Sequence, residues 1–231
     1  MSRLSFILAC VVWLAGLAPI RATAQSAGSA SPGGTSSDSA QTVDGIAARI
    51  EDDVLTESEV RELAAFQTLV DGQAKPRAEL IRELGDQWVV RGEAEATKYP
   101  QPPPDAVDHA YAQLAARFSS PEEFKNRCTA VRLTETEVRL MLAQQLYLSR
   151  FLDYRFRPAA QVDQSQIEAY YNGEFAKQLK SRGQPVPPLD DIEDTIREVL
   201  VQRAISDRAA QWLDETRARL KIDVMPQGDR P

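Results

Sequence analysis

In a chain of 231 residues, 34 acidic against 27 basic side chains give a net charge of -7. That balance argues against holding nucleic acid through phosphate contacts. Apolar residues make up 43% of the chain, enough to bury a core in one domain or in two small ones.

The first residues bear on compartment. Arg3 precedes an apolar run from Leu4 to Ile20, followed by Ala22-Thr23-Ala24. A cation, an apolar stretch and small residues in that order predict a secretory signal peptide over 1–24, cleaved after Ala24. The alternative is a retained membrane anchor, which needs roughly 20 apolar residues. Cys10, after Ile7-Leu8-Ala9, loosely resembles a lipoprotein cleavage box, but cutting there would leave too few apolar residues ahead of it. Cleavage after Ala24 removes Arg3, Cys10 and Arg21, so the mature chain is more acidic by two charges and keeps one thiol, Cys128. No internal disulfide can then form. Cys128 is predicted to be buried, because a free thiol packs as a small hydrophobe. Residues 25–42 are mainly Ser, Gly and Ala without apolar periodicity, which predicts a flexible linker.

The domain is expected over 43–225, with a tail over 226–231. Ile46 to Ile50, the acidic turn Glu51-Asp52-Asp53 and Val54-Leu55 read as a small hairpin running directly into a helix. Thr56 and Glu59 form a capping-box pattern, and Val60, Leu63, Ala64 and Leu69 mark one face of a helix to about Val70. Pro76 falls in the first turn of a second helix carrying Leu80, Ile81, Leu84, Trp88 and Val89, ended by "YPQPPP". From Asp105 a third helix sets Val107, Ala110, Tyr111, Leu114 and Phe118 on one stripe. Ser120-Pro121-Glu122-Glu123 opens a short fourth helix that stops near Cys128.

The next helix, capped by Thr134 with Glu137 and running to about Phe156, is apolar on more than one side. It carries Val138, Leu140, Met141, Leu142, Leu146, Leu148, Phe151, Leu152 and Phe156. Such a helix is either central to a core or leaves apolar surface for a partner. Pro158 terminates it. Asp163 with Gln166 caps another, containing Ile167, Tyr170, Tyr171 and Phe175. One Gly and three prolines between Ser181 and Pro188 then break the chain. A long helix opened by Asp190 or Asp191 follows, with Ile192, Ile196, Val199, Leu200, Ile205, Trp212, Leu213 and Leu220. Ile222 and Val224 are strand-compatible, and so short a strand needs a partner. Pairing with the Ile46 hairpin would bring the two ends together.

The search for chemistry finds no catalytic constellation. His109 points away from the apolar stripe of its helix, and one His with one Cys makes no zinc set. No nucleophile elbow, zinc-protease, P-loop or Rossmann pattern occurs. Asp190-Asp191 and Glu122-Glu123 stand at helix starts, where the backbone dipole already accounts for them. Arg150, Arg155 and Arg157 cluster near a helix C-terminus, where capping and internal pairing compete with partner recognition.

"VDGIAARIEDDVLTESEV" (Val43 to Val60), "FSSPEEFKNRCTAVRLTETEVRLMLAQQLYLSRFLDYRFRP" (Phe118 to Pro158), "VDQSQIEAYYNGEF" (Val162 to Phe175) and "DDIEDTIREVLVQRAISDRAAQWLDETRARLKIDV" (Asp190 to Val224) together resemble the N-terminal domain and closing helix of SurA-like periplasmic chaperones. The resemblance lies in caps, spacings and apolar positions rather than in an invariant signature. It implies a mostly α fold: a helical chaperone domain with a small β element pairing the N- and C-terminal segments, N-terminal helices over 43–180 being closed by a helix and strand over 189–225. It also implies a periplasmic location and unfolded outer-membrane or secreted polypeptides as partners. Many members carry parvulin-type prolyl isomerase domains ahead of the closing helix. Between Phe175 and Ile192 this chain has room for none, a small domain needing roughly 50 residues. No isomerase activity is therefore expected.

The expected function is that of a holdase shielding apolar segments of unfolded or extended polypeptides, with no cofactor, metal, nucleotide or nucleic acid, and no stable membrane insertion once the signal is cleaved. Its client-binding candidates are Met141, Leu142, Leu146, Phe151 and Tyr154 in an apolar cleft, with Tyr170 and Tyr171 behind them. Aromatics offer large contact area and Met adapts its shape, although the same spacings also suit an ordinary core. The alternative is a structural or adapter subunit of an envelope assembly with one fixed partner.

Overall fold

A computed structural model describes residues 44–226. The expected signal peptide over 1–24, the expected linker over 25–42, Val43 at the start of the expected domain, and the tail from Gln227 onward lie outside the described residues. The described chain is mostly helical with one small antiparallel sheet.

Strands β1 (Ile46–Ile50) and β2 (Asp53–Thr56) pair across the tight turn Glu51-Asp52, with Ile50 opposite Asp53 and Arg49 opposite Val54. Glu51 takes a left-handed φ of 52° there. A register shift between Ile46 and Ala48 lets Ala47 and Ala48 both be buried. Strand β3 (Ile222–Val224) pairs antiparallel on the other side of β1, giving the order β2-β1-β3. The two ends of the domain therefore meet in one sheet, as the sequence predicts.

Helix α1 (Glu57–Asp71) starts from Thr56, whose hydroxyl accepts from the Glu59 N–H while the Glu59 carboxylate accepts from the Thr56 N–H. It ends at Gly72, whose φ of 80° suits a residue without Cβ. Helix α2 (Arg77–Ala96) begins one residue after Pro76, which sits at the cap rather than in the first turn. Helix α3 (Pro104–Ala115) starts one residue earlier than Asp105, with Pro104 in the first turn. Helix α4 (Pro121–Ala130) is capped by Ser120, and α5 (Glu135–Phe156) by the Thr134–Glu137 box. A 3₁₀ turn (Arg157–Ala159) containing Pro158 ends it.

After Asp163 the chain forms α6 (Gln164–Tyr170), a π-helical turn (Tyr171–Phe175) and α7 (Ala176–Ser181). The proline-bearing stretch then leads into α8 (Leu189–Arg217), with Pro188 at its cap position. Leu189, rather than Asp190 or Asp191, is the first helical residue, and both acids occupy the first turn.

Three apolar clusters hold these elements. Beneath the sheet, Ala47, Ala48, Ile50 and Leu55 pack with Val60 and Leu63 of α1 and Leu80 and Ile81 of α2. Phe66 and Leu69 of α1 meet Leu114 of α3, Phe124 and Cys128 of α4, and Val138 and Leu142 of α5. Val89, Val90 and Ala94 of α2 meet Tyr147, Leu148, Phe151 and Leu152 of α5 and Ala209 and Leu213 of α8. Helix α5 serves the last two clusters from different sides. Its wide apolar face is thus mainly a core feature, which settles most of that helix in favour of the first of the two sequence readings.

Gln67 is buried among these side chains with 1% exposure, and it is satisfied: its carbonyl accepts from the Lys75 N–H at 3.0 Å and its amide donates to Glu83 at 3.1 Å. That arrangement pins the α1–α2 loop. The Arg77 guanidinium pairs with Glu57 and donates to the Met225 carbonyl at 3.3 Å, joining α2 to α1 and to the chain beyond β3.

Candidate functional site

Of the seven side chains expected to face a client, two are core. Leu142 is 4% exposed and Phe151 1%, so neither offers surface in this conformation. The reason is periodic: α5 has neighbours on two sides, and residues 142 and 151 point to different ones. Met141 is half-buried against the α1–α3–α4 cluster, and Leu146 is half-buried. Tyr154 is open to solvent, 65% exposed. These residues therefore do not line one common cleft along α5.

Tyr154 is not isolated. Its ring centroid lies 5.3 Å from that of Tyr99, which also approaches Tyr147 at 5.9 Å and Phe151 edge-on at 5.5 Å. Tyr99 belongs to the loop after α2: the helix stops at Ala96, Lys98 takes a left-handed φ of 56°, and the Tyr99 N–H donates back to the Ala94 carbonyl at 2.9 Å, ahead of the proline run. Burial holds the Tyr99 and Tyr147 hydroxyls above the usual phenol range. Leu140, also 65% exposed, lies about 40° around α5 from Tyr154 and some three to four turns away, at 3.6 residues per turn. Leu140 and Tyr154 are the apolar side chains that α5 leaves uncovered after the core is built. Leu140 is among the periodic apolar positions of that helix, but periodicity alone does not tell which of them a neighbour covers.

Tyr170 and Tyr171 sit apart, where α6 turns into α7. The Arg203 guanidinium stands 4.7 Å over the Tyr170 ring and also reaches Glu174 at 3.0 Å. The Tyr171 hydroxyl donates to the Pro187 carbonyl at 2.7 Å, and its ring stacks on Phe175 at 6.1 Å. Tyr171 thus ties the proline-bearing loop to the helix before it. The π turn at Tyr171 to Phe175 gives no sequence signal beyond Asn172-Gly173, yet such turns often accompany functional positions.

The arginine cluster divides. Arg155 pairs with Glu93 at 2.7 Å and lies 4.7 Å over the Trp212 ring, joining α2, α5 and α8. Arg157 donates to both oxygens of Asp153 and to both of Glu198, linking α5 to α8. Those bonds hold Arg157 well above its ordinary range and Glu198 below the usual carboxylate range. Arg150 is exposed. Internal pairing is thus found for two of the three arginines.

Other candidate chemistry has local structural roles. His109 is exposed and lies 2.9 Å from the Gln113 amide. The Glu123 carboxylate accepts from the Ser119 N–H at 3.0 Å, holding the start of α4. Among the described residues, no group of three or more His, Cys, Asp or Glu side chains could hold a metal ion. Cys128 is 7% exposed, and burial raises its thiol pKa. A thiol so placed is expected to resist alkylation in the native protein and to react at the free-thiol rate only in denaturant, as followed by mass spectrometry.

One cavity of about 210 Å³ lies beneath the sheet, lined by Ile50, Leu55, Ile81, Gly85, Ile222 and Val224 with Arg82 and Arg217 beside it. Val224 is 55% exposed, so the cavity opens toward solvent along β3. Among the described residues, no helix is long and apolar enough to cross a membrane. No protein-family model matches the chain, and no curated protein matches it.

Proposed function

We propose that the protein is a periplasmic holdase that shields apolar segments of unfolded or extended polypeptides, using non-covalent contact without nucleotide or cofactor. The observation that carries this reading is the pair of large apolar side chains, Leu140 and Tyr154, each 65% exposed on the helix that centres the core. Exposing them costs the fold the burial energy of roughly 25 cal/mol per Å² of apolar surface, and a client would recover it. The signal-peptide pattern and the resemblance to SurA-like chaperones support the compartment and the client class. Isomerase activity forms no part of the proposal, because α7 and the proline-bearing loop occupy the stretch where the resemblance would place a parvulin domain.

The test is suppression of aggregation by the mature protein and by a Leu140→Ser/Tyr154→Ser variant. Both changes are at exposed positions, so the variant is expected to fold and to protect clients less well. Undiminished protection would remove this surface from the mechanism. Turnover of a model X-Pro peptide by the purified protein would instead favour an isomerase.

A further inference from the structure

We propose that the free edge of β3 accepts an extended client segment as a fourth strand, with one apolar side chain of that segment entering the cavity below. This deepens the holdase reading, on which it rests, by giving part of the client a defined site.

The backbone geometry identifies the groups involved. In the β1–β3 pair the Glu51 N–H donates to the Lys221 carbonyl at 3.0 Å, and the Met225 N–H donates to the Ala47 carbonyl at 2.9 Å. Residues 221 and 225 therefore turn their main-chain groups toward β1. Main-chain direction alternates along a strand of an antiparallel pair, so Ile222 and Val224 turn theirs outward. Because β3 is an outer strand of the order β2-β1-β3, those groups meet no further strand among the described residues. Unpaired edge groups are a template for an extended chain.

The side chains of the same two residues add selectivity. Ile222 and Val224 are opposite Ile50 and Ala48, and both line the cavity of about 210 Å³. An apolar cavity of about 150 Å³ holds a benzene ring, so this one has room for a phenyl or branched aliphatic side chain. A strand paired to the edge presents alternate side chains to that face. The occupant is thus an extended polypeptide with an apolar residue flanked by residues that tolerate solvent.

The stretches flanking the described residues differ from that chemistry. Residues 227–231, Gln-Gly-Asp-Arg-Pro, have no large apolar side chain, and Ser26 to Thr42 has none larger than alanine or proline. The apolar run Leu4 to Ile20 has the right chemistry, but cleavage after Ala24 would remove it. The proposal commits to a separate extended polypeptide, and a second copy pairing through its own β3 would show instead as protection of the Ile222 and Val224 amides without peptide.

The test measures binding of a short blocked peptide alternating threonine and leucine to the mature protein, beside a twin N-methylated on the face that would pair. Val224→Pro removes an outward N–H, a change that edge strands tolerate, and also replaces one of the side chains lining the cavity. Gly85→Leu fills the cavity from α2, where an added Cβ would meet only Ile50 Cδ1 at 3.5 Å, and leaves every backbone donor in place.

Expected are added hydrogen-exchange protection of the Ile222 and Val224 amides on binding and at least about tenfold weaker affinity for the N-methylated twin and for both variants. Equal binding of the twin, or unchanged binding by both variants, would overturn the proposal, as would strong protection of those amides without peptide. Aggregation suppression that persists alongside such a result would leave the holdase reading standing without this site. Edge binding without protection of any client would do the reverse.

Discussion

Replacing Phe151 by alanine is expected to lower folding stability by about 3–5 kcal/mol, the range for removing a large aromatic from a packed interior. Its ring is 1% exposed and joins Val89, Val90 and Ala94 of α2 to Leu148 and Leu152 of α5 and Leu213 of α8. It is also the edge-on partner of Tyr99. The loss therefore reaches both the closing helix and the ring that lies against Tyr154. Urea unfolding reads it as a lower midpoint with an unchanged slope. Tyr154→Ala, on the same helix, is expected to cost about 1.5 kcal/mol or less, since an aromatic pair contributes about 0.5–1.5 kcal/mol and this side chain is 65% exposed. Equal losses at the two positions would contradict the assignment of Phe151 to the core and Tyr154 to the surface.

The second large effect concerns Asp86, which lies on α2 and faces the end of α8. Its carboxylate faces the Arg217 Nε at 3.2 Å without hydrogen-bond alignment, and burial raises its pKa to about 6 despite Arg217 and Arg82, with Asp214 and Glu83 adding repulsion. A group whose folded value is above its unfolded one binds its proton more tightly in the native state. Its stabilising contribution is complete below the ordinary value of 3.8, fades as pH rises through about 6 and is absent above that. At about 1.4 kcal/mol per pH unit, Asp86→Asn is expected to stabilise the protein by roughly 1–3 kcal/mol at neutral pH and to flatten this fall. Arg217 keeps Asp214 as a partner. A destabilised variant at neutral pH would show instead that the Asp86–Arg217 pair is worth more than the burial of its charge costs.

The sequence made much of the fold legible because its signals are local. Thr56 with Glu59, Thr134 with Glu137 and Asp163 with Gln166 all form the reciprocal capping bonds expected of them. The partnering of Ile222 to Val224 with the Ile46 strand followed from the instability of short strands alone. The candidate site was less legible, because exposure depends on which neighbour arrives. Leu140 and Leu142 are indistinguishable as apolar residues of α5, yet one is open and the other covered. Tyr99 reads as part of a helix-ending loop, and its place over α5 depends on the packing of α2. Gly85 and the edge cavity require the sheet, α2 and α8 together, so no single stretch encodes them.

The most direct measurement of the central claim is light scattering from several unrelated, chemically unfolded proteins diluted into buffer with and without the mature chain. The account predicts that aggregation falls for many of them at near-stoichiometric amounts, without nucleotide, and that protection weakens in the Leu140→Ser/Tyr154→Ser variant. Failure to protect any of them, or protection confined to one specific partner, would contradict the holdase account, the latter favouring an adapter with a fixed partner.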